Sequence, residues 1–176
     1  YQLSLNNIFT NLYEMRPKVK TQAHQTGYLS ELVCSNSFRS DDSVYNAVGL
    51  LHEELRLSNS LIMKAADKNK VPAGSALAVD RDTFSKYIDT KIKSNKYINI
   101  INKEITNLNI FKDDIVVIAT GPLTSKKLSL EIEKLTSKKS LDFFDAIAPI
   151  VYFESIDMGI AWKQSRYDKG NGDDYI

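Results

Sequence analysis

The chain has 176 residues, 43% hydrophobic and 26% charged, with Lys+Arg 23 against Asp+Glu 22 and a formal net charge of +1. This balance fits one globular domain, or one domain and a small part of another, and excludes a disordered or fibrous chain. Bulk charge predicts no nucleic-acid partner, although a local basic face operates equally well on a neutral protein.

Residues 1–6 read as the end of a helix, with Asn7 where a left-handed residue closes it. Residues 8–14 read as a strand that ends at Glu14 and is stopped by Pro17. Residues 18–45 are polar, irregular and rich in Ser, Thr and Asn, and a loop of this length is more often functional than idle. Residues 46–67 read as one long helix with Val48, Leu51, Leu55, Ile62 and Ala66 on its buried face. A short apolar strand follows at 76–79, and Asp80 or Asp82 caps a helix whose buried stripe is Phe84, Ile88 and Ile92. Residues 97–101 and 104–108 read as strands around Asn102-Lys103. The run Ile115, Val116, Val117, Ile118 reads as a strand covered on both faces. It leads into Ala119-Thr120-Gly121-Pro122 and a helix over 125–135. Beyond Leu141 the pattern is strand-like and less regular. The alternation of strands and helices predicts an α/β fold with a largely parallel sheet. No apolar run approaches the about 18 residues of a membrane span.

Five features carry chemistry. An acid at the end of a strand, such as Glu14, is either a solvated carboxylate or the group that accepts ribose hydroxyls in a dinucleotide-binding fold. Its glycine-rich partner is then expected about 20 residues upstream, ahead of Tyr1. Thr120 and Gly121 mark either a plain turn or a strand end where a ligand approaches the backbone closely. Cys34, the only cysteine, is a small packing residue, or a nucleophile if cations, amides or a helix N-terminus stabilise its thiolate; Arg39 and the long helix are near in sequence. A lone cysteine forms no internal disulfide and suits a reducing cytoplasm. Arg16, Lys18 and Lys20 form a solvated run that could hold phosphates if it faces a cleft. Arg166, Tyr167 and Lys169 combine cations with an aromatic, a mixture that can stack on and neutralise a pterin, flavin or nucleotide. His24 and His52 have no ligand pattern around them, so no metal site is expected.

The segments LYEMRP, SELVCSNS, NAVGLLHEELR, VPAGSALAVDR, ATGPLTS, DAIAPIV and SRYDKG, in this order along nearly the whole chain, resemble the folate- and FAD-dependent tRNA (uracil-5-)-methyltransferase family. The resemblance implies a Rossmann-like FAD-binding domain over 1–148, without its first strand and glycine loop, and the start of an inserted substrate domain over 149–176. It implies an internal fragment, with a second family cysteine beyond Ile176. The implied activity forms 5-methyluridine in the tRNA T-loop. Methylenetetrahydrofolate supplies the carbon, reduced FAD carries it and NAD(P)H supplies electrons, while a cysteine activates the uracil. By position, Glu14 and Arg16 would bind FAD with Thr120 and Gly121. Cys34 would be the nucleophile or the partner of the second cysteine. Arg166, Tyr167 and Lys169 would lie on the folate or tRNA side. The alternatives are the related FAD- and folate-using enzyme of wobble-uridine carboxymethylaminomethyl synthesis, and a non-catalytic fragment.

Overall fold

The computed structural model describes residues 1–138 and 152–164. The expected boundary at 148/149, the segment DAIAPIV and the residues Arg166, Tyr167 and Lys169 lie outside the described residues. The chain runs α1 (Gln2–Leu5), β1 (Thr10–Glu14), β2 (Ser37–Ser40), α2 (Ala47–Leu57), α3 (Leu61–Lys68), β3 (Lys70–Val71), β4 (Ala76–Val79), α4 (Arg81–Lys93), β5 (Ile98–Asn102) and α5 (Lys126–Thr136).

β1 and β5 pair in parallel, from Thr10 opposite Ile98 to Glu14 opposite Asn102. Two parallel neighbours so far apart in sequence require a crossover, and the helices between them supply it. The fold is therefore α/β, as the alternation predicts. A second sheet places β4 between β2 and β3, antiparallel to both. Alternation of elements does not reveal this sheet.

The core gathers Leu77 and Val79 of β4, Met63, Ala65 and Ala66 of α3, Phe84, Ile88 and Ile92 of α4, and Leu29 of the long loop. Phe84, Ile88 and Ile92 stand four residues apart and so lie on one face of α4. Leu12 of β1 and Ile98 and Ile100 of β5 pack against the same core, which joins the parallel pair to the rest. Asp80, not Asp82, caps α4, its carboxylate accepting from the Thr83 amide. Asn7 takes the left-handed conformation after α1, with φ 58°.

Five expectations are corrected. The segment 18–45 is not wholly irregular, because it contains β2 and the buried Leu29. The single helix expected over 46–67 is two, α2 and α3. Asn59 turns the chain at φ 57°, and Ser60 restarts the helix by accepting from the Met63 amide. Leu51 and Leu55 are exposed, and α2 buries Gly49 and His52 instead. Residues 104–108 form no strand; Asn107 caps a 3-10 turn, Leu108–Phe111. Residues 115–118 are not a buried strand either, for Ile115 and Val117 are 101% and 79% exposed. An apolar run becomes a strand only where a sheet accepts its backbone groups. Among the described residues, β1 and β5 pair only with each other.

Candidate functional site

β1 delivers Glu14 to the carboxyl end of the parallel pair, where open α/β sheets collect their ligands. The strand continues into Met15 and Arg16, and this short link lets Arg16 fold back on Glu14. Glu14 Oε1 accepts from the Arg16 amide at 2.9 Å and from Arg16 Nε at 3.0 Å, and Oε2 accepts from Nη2 at 3.1 Å. The third nitrogen of the guanidinium, Nη1, donates to Glu31 Oε2 at 3.2 Å. The Arg16 carbonyl accepts from the Asn102 side chain, so β5 holds the same turn.

Arg16 is only 6% exposed, so it is not part of the solvated basic run, whereas Lys18 and Lys20 are exposed. A buried guanidinium needs compensating charge and hydrogen bonds, and two carboxylates provide both. Glu31 is itself held in the long loop. Its Oε1 accepts from the Gln25 and Thr26 amides, and its Oε2 from the Thr26 hydroxyl. Sequence reading misses Glu31 as a partner because ion pairing across 15 residues of loop leaves no periodic trace.

Burial opposes the charge on Glu14, but the hydrogen bonds and charge of Arg16 outweigh it and hold this carboxyl below its ordinary range. Burial likewise opposes ionisation of Glu31, and the Gln25 and Thr26 donors overcome it and lower the carboxyl. At His24, burial first and then the Arg16 charge push the imidazole below its ordinary 6.5. In every case the folded group binds its proton less readily than the unfolded one. The unfolded chain therefore takes up more protons as pH falls, and stability drops with it. The contribution is fully present above pH 6.5, the unfolded value for His24. It shrinks as pH falls through that value, and again from 4.5, the unfolded value for Glu14 and Glu31, down through their lowered folded values. We expect the urea unfolding midpoint of the whole protein to fall between about pH 7.5 and about pH 4. A midpoint that rises on acidification contradicts this.

The loop runs on from Glu31 to Cys34, which is half-buried. The Cys34 carbonyl accepts from Arg81 Nη2 at 3.0 Å. Two residues later the loop locks onto β4: the Asn36 side chain donates to the Val79 carbonyl at 3.0 Å, and the Val79 amide donates to the Asn36 carbonyl at 2.9 Å. The cation and helix start that stand beside the Cys34 loop are thus Arg81 and α4. Arg39 instead sits exposed on an irregularity of β2, at φ 70°. A small cavity of about 60 Å³ opens between Gln25, Thr26, Glu31, Leu32, Arg81 and Ser85.

Thr120 and Gly121 are exposed, and they follow the exposed run 115–118 rather than a buried strand. Gly121 has φ 67°, a conformation that favours glycine, and apart from its chain neighbours no described atom lies within 4 Å of where a side chain would begin. The Thr120 and Thr124 hydroxyls are hydrogen-bonded at 2.6 Å. His52 is buried and pairs through Nδ1 with Asp41 at 3.1 Å, while Arg56 joins Asp41 to Asp67. Among the described residues no cluster of three or more His, Cys, Asp or Glu could hold a metal ion. No helix among them is long and apolar enough to cross a membrane.

Three relatives illustrate the similarity, each named methylenetetrahydrofolate--tRNA-(uracil-5-)-methyltransferase TrmFO. The protein from Bartonella henselae is 57% identical over 180 residues, covering 100% of this chain and 38% of the relative. The one from Paramagnetospirillum magneticum is 56% identical over 176 residues, with 100% and 39% coverage. That from Zymomonas mobilis is 53% identical, again with 100% and 39% coverage. The chain thus spans about two fifths of the length of these relatives. The family model described as glucose inhibited division protein A matches residues 1–176, and the chain belongs to that family.

Proposed function

We propose that this chain provides the nucleotide-binding part of a FAD- and methylenetetrahydrofolate-dependent tRNA (uracil-5-)-methyltransferase. Identity of 53–57% over the whole chain to relatives of that name supports the reaction. The observation that carries the flavin assignment is the Glu14 carboxylate, ionised and fixed at the carboxyl end of a parallel strand. A carboxylate there accepts a ribose hydroxyl in dinucleotide-binding folds, and such an acceptor fits FAD.

FAD, when bound, supplies the redox and carbon-carrying chemistry; the protein's part is to bind, orient and activate. Glu14 takes the ribose. Arg16 acts through Glu14, since its guanidinium is buried between two carboxylates. Thr120 and Gly121 offer an open turn for the nucleotide, and Arg166, Tyr167 and Lys169 serve the folate or tRNA side. Cys34 works on the uracil from a loop anchored by Arg81 and β4. NAD(P)H as electron source, and a cytoplasmic setting, belong to the same reading.

The test supplies the whole protein with tRNA, FAD, a reductant and methylenetetrahydrofolate labelled in its one-carbon unit. Label is expected in the T-loop uridine. Cys34→Ala is expected to slow its appearance on the order of a thousandfold while leaving flavin binding intact. Label confined to the wobble uridine, or full activity of the alanine variant, overturns the proposal.

A further inference from the structure

The Glu14 carboxylate has about four acceptor positions, and three are taken by Arg16: two on Oε1 and one on Oε2. One position on Oε2 remains for a ligand. Glu14 is therefore set to accept one ribose hydroxyl rather than to grip both. The direction of that last position depends on where Arg16 holds the carboxylate. Arg16 in turn has its free end, Nη1, on Glu31.

We propose that Glu31 is a positioning residue for nucleotide binding, fixing through Arg16 the single Glu14 acceptor left for the ribose. This rests on the reading of Glu14 given above. Glu31 takes no ligand itself, because both its oxygens are filled. Oε1 receives the Gln25 amide at 2.8 Å and the Thr26 amide at 3.1 Å; Oε2 receives the Thr26 hydroxyl at 3.0 Å and Arg16 Nη1 at 3.2 Å. Its side chain is 10% exposed and that of Arg16 is 7% exposed, so the pair is largely shielded from bulk solvent. Every one of these partners is a donor, which makes the charge essential. In Glu31→Gln, of equal size, the new NH2 group must face either the loop amides or the guanidinium. Both are donors, and no orientation of the amide satisfies both sides.

The test is a comparison of affinities in the whole protein, for FAD and for an FAD analogue with a 2′,3′-dideoxy adenosine ribose. If Glu31 acts through the ribose contact, Glu31→Gln weakens FAD about fivefold to tenfold and the analogue less than about twofold. Thr26→Val, which keeps the charge and removes one donor to Oε2, is expected to give the same pattern at smaller size. It carries the test if the glutamine variant does not fold. Unchanged FAD affinity in the variants, or equal weakening for FAD and the analogue, overturns the inference while leaving FAD binding in place. Wild-type protein that binds FAD and the analogue equally well overturns the ribose reading of Glu14 itself.

Discussion

Replacing Arg16 with methionine is expected to destabilise the whole protein by about 3–5 kcal/mol at neutral pH. The side chain is of similar length and apolar, so packing survives while the charge is lost. Glu14 and Glu31 then remain, 19% and 10% exposed, with no cation between them. Three hydrogen bonds from the guanidinium disappear with it. The alternative to holding two unpaired carboxylates is to protonate them, which becomes easy only in acid. The loss is therefore expected to be largest near neutrality and to shrink toward about pH 4. Urea titrations of wild type and variant at several pH values measure it. Adding Glu14→Gln and Glu31→Gln to Arg16→Met should recover most of the loss, because removing a whole buried ion cluster costs far less than removing one member. A loss below about 1 kcal/mol at neutral pH would mean that solvent screens the cluster after all.

Gly49→Ala is the second large effect, and two opposing terms decide its sign. Glycine inside a helix costs about 0.5–1 kcal/mol relative to alanine, so the substitution would stabilise an unhindered α2. Here the new Cβ would overlap the backbone carbonyl of Asp42 and lie 2.7 Å from its amide nitrogen. These are backbone atoms, and they cannot rotate aside. Either α2 moves away or the 41–42 turn does. The turn carries Asp41, which holds His52, Arg56 and Lys70. Overpacking with loss of that network outweighs the propensity gain, and a net loss of about 3 kcal/mol is expected from thermal or urea unfolding. A stability equal to or above wild type would show that the turn yields easily.

What could be read from the sequence was local. Phe84, Ile88 and Ile92 repeat at helical spacing and face the core, because each can be buried by α4 alone turning one face inward. Asn7 and Asp80 do their work within one turn of where they stand. The failures share a different cause. The stripe from Val48 to Ala66 assumes unbroken helix, yet Asn59 at φ 57° ends α2 before Ser60 starts α3, and α2 buries Gly49 and His52 and not its leucines. The apolar run at 115–118 has the composition of a buried strand, but composition does not fix a pairing partner, and no strand pairs with it among the described residues. At the site, Glu14 is visible as a strand-end acid. Its clamp is not, since Arg16 reads as one cation in a solvated run or, by the resemblance, as a FAD-binding residue, and Glu31 lies in an irregular loop. Arg81 is 47 residues from the Cys34 carbonyl that it holds. The Asn36–Val79 hydrogen bonds and the β2–β4 pairing bring them together.

The most direct test is equilibrium titration of FAD into the whole wild-type protein and its Glu14→Gln variant. The variant keeps the size of the side chain and gives up the ionised acceptor. A hydrogen bond to a charged group is worth about 1.5–3 kcal/mol, so FAD affinity should fall about tenfold to a hundredfold, without loss of the folded state at neutral pH. Stoichiometric FAD binding by the wild type with that fall in the variant is the result expected if β1 ends in the flavin nucleotide site. Equal affinity in the two proteins would contradict it.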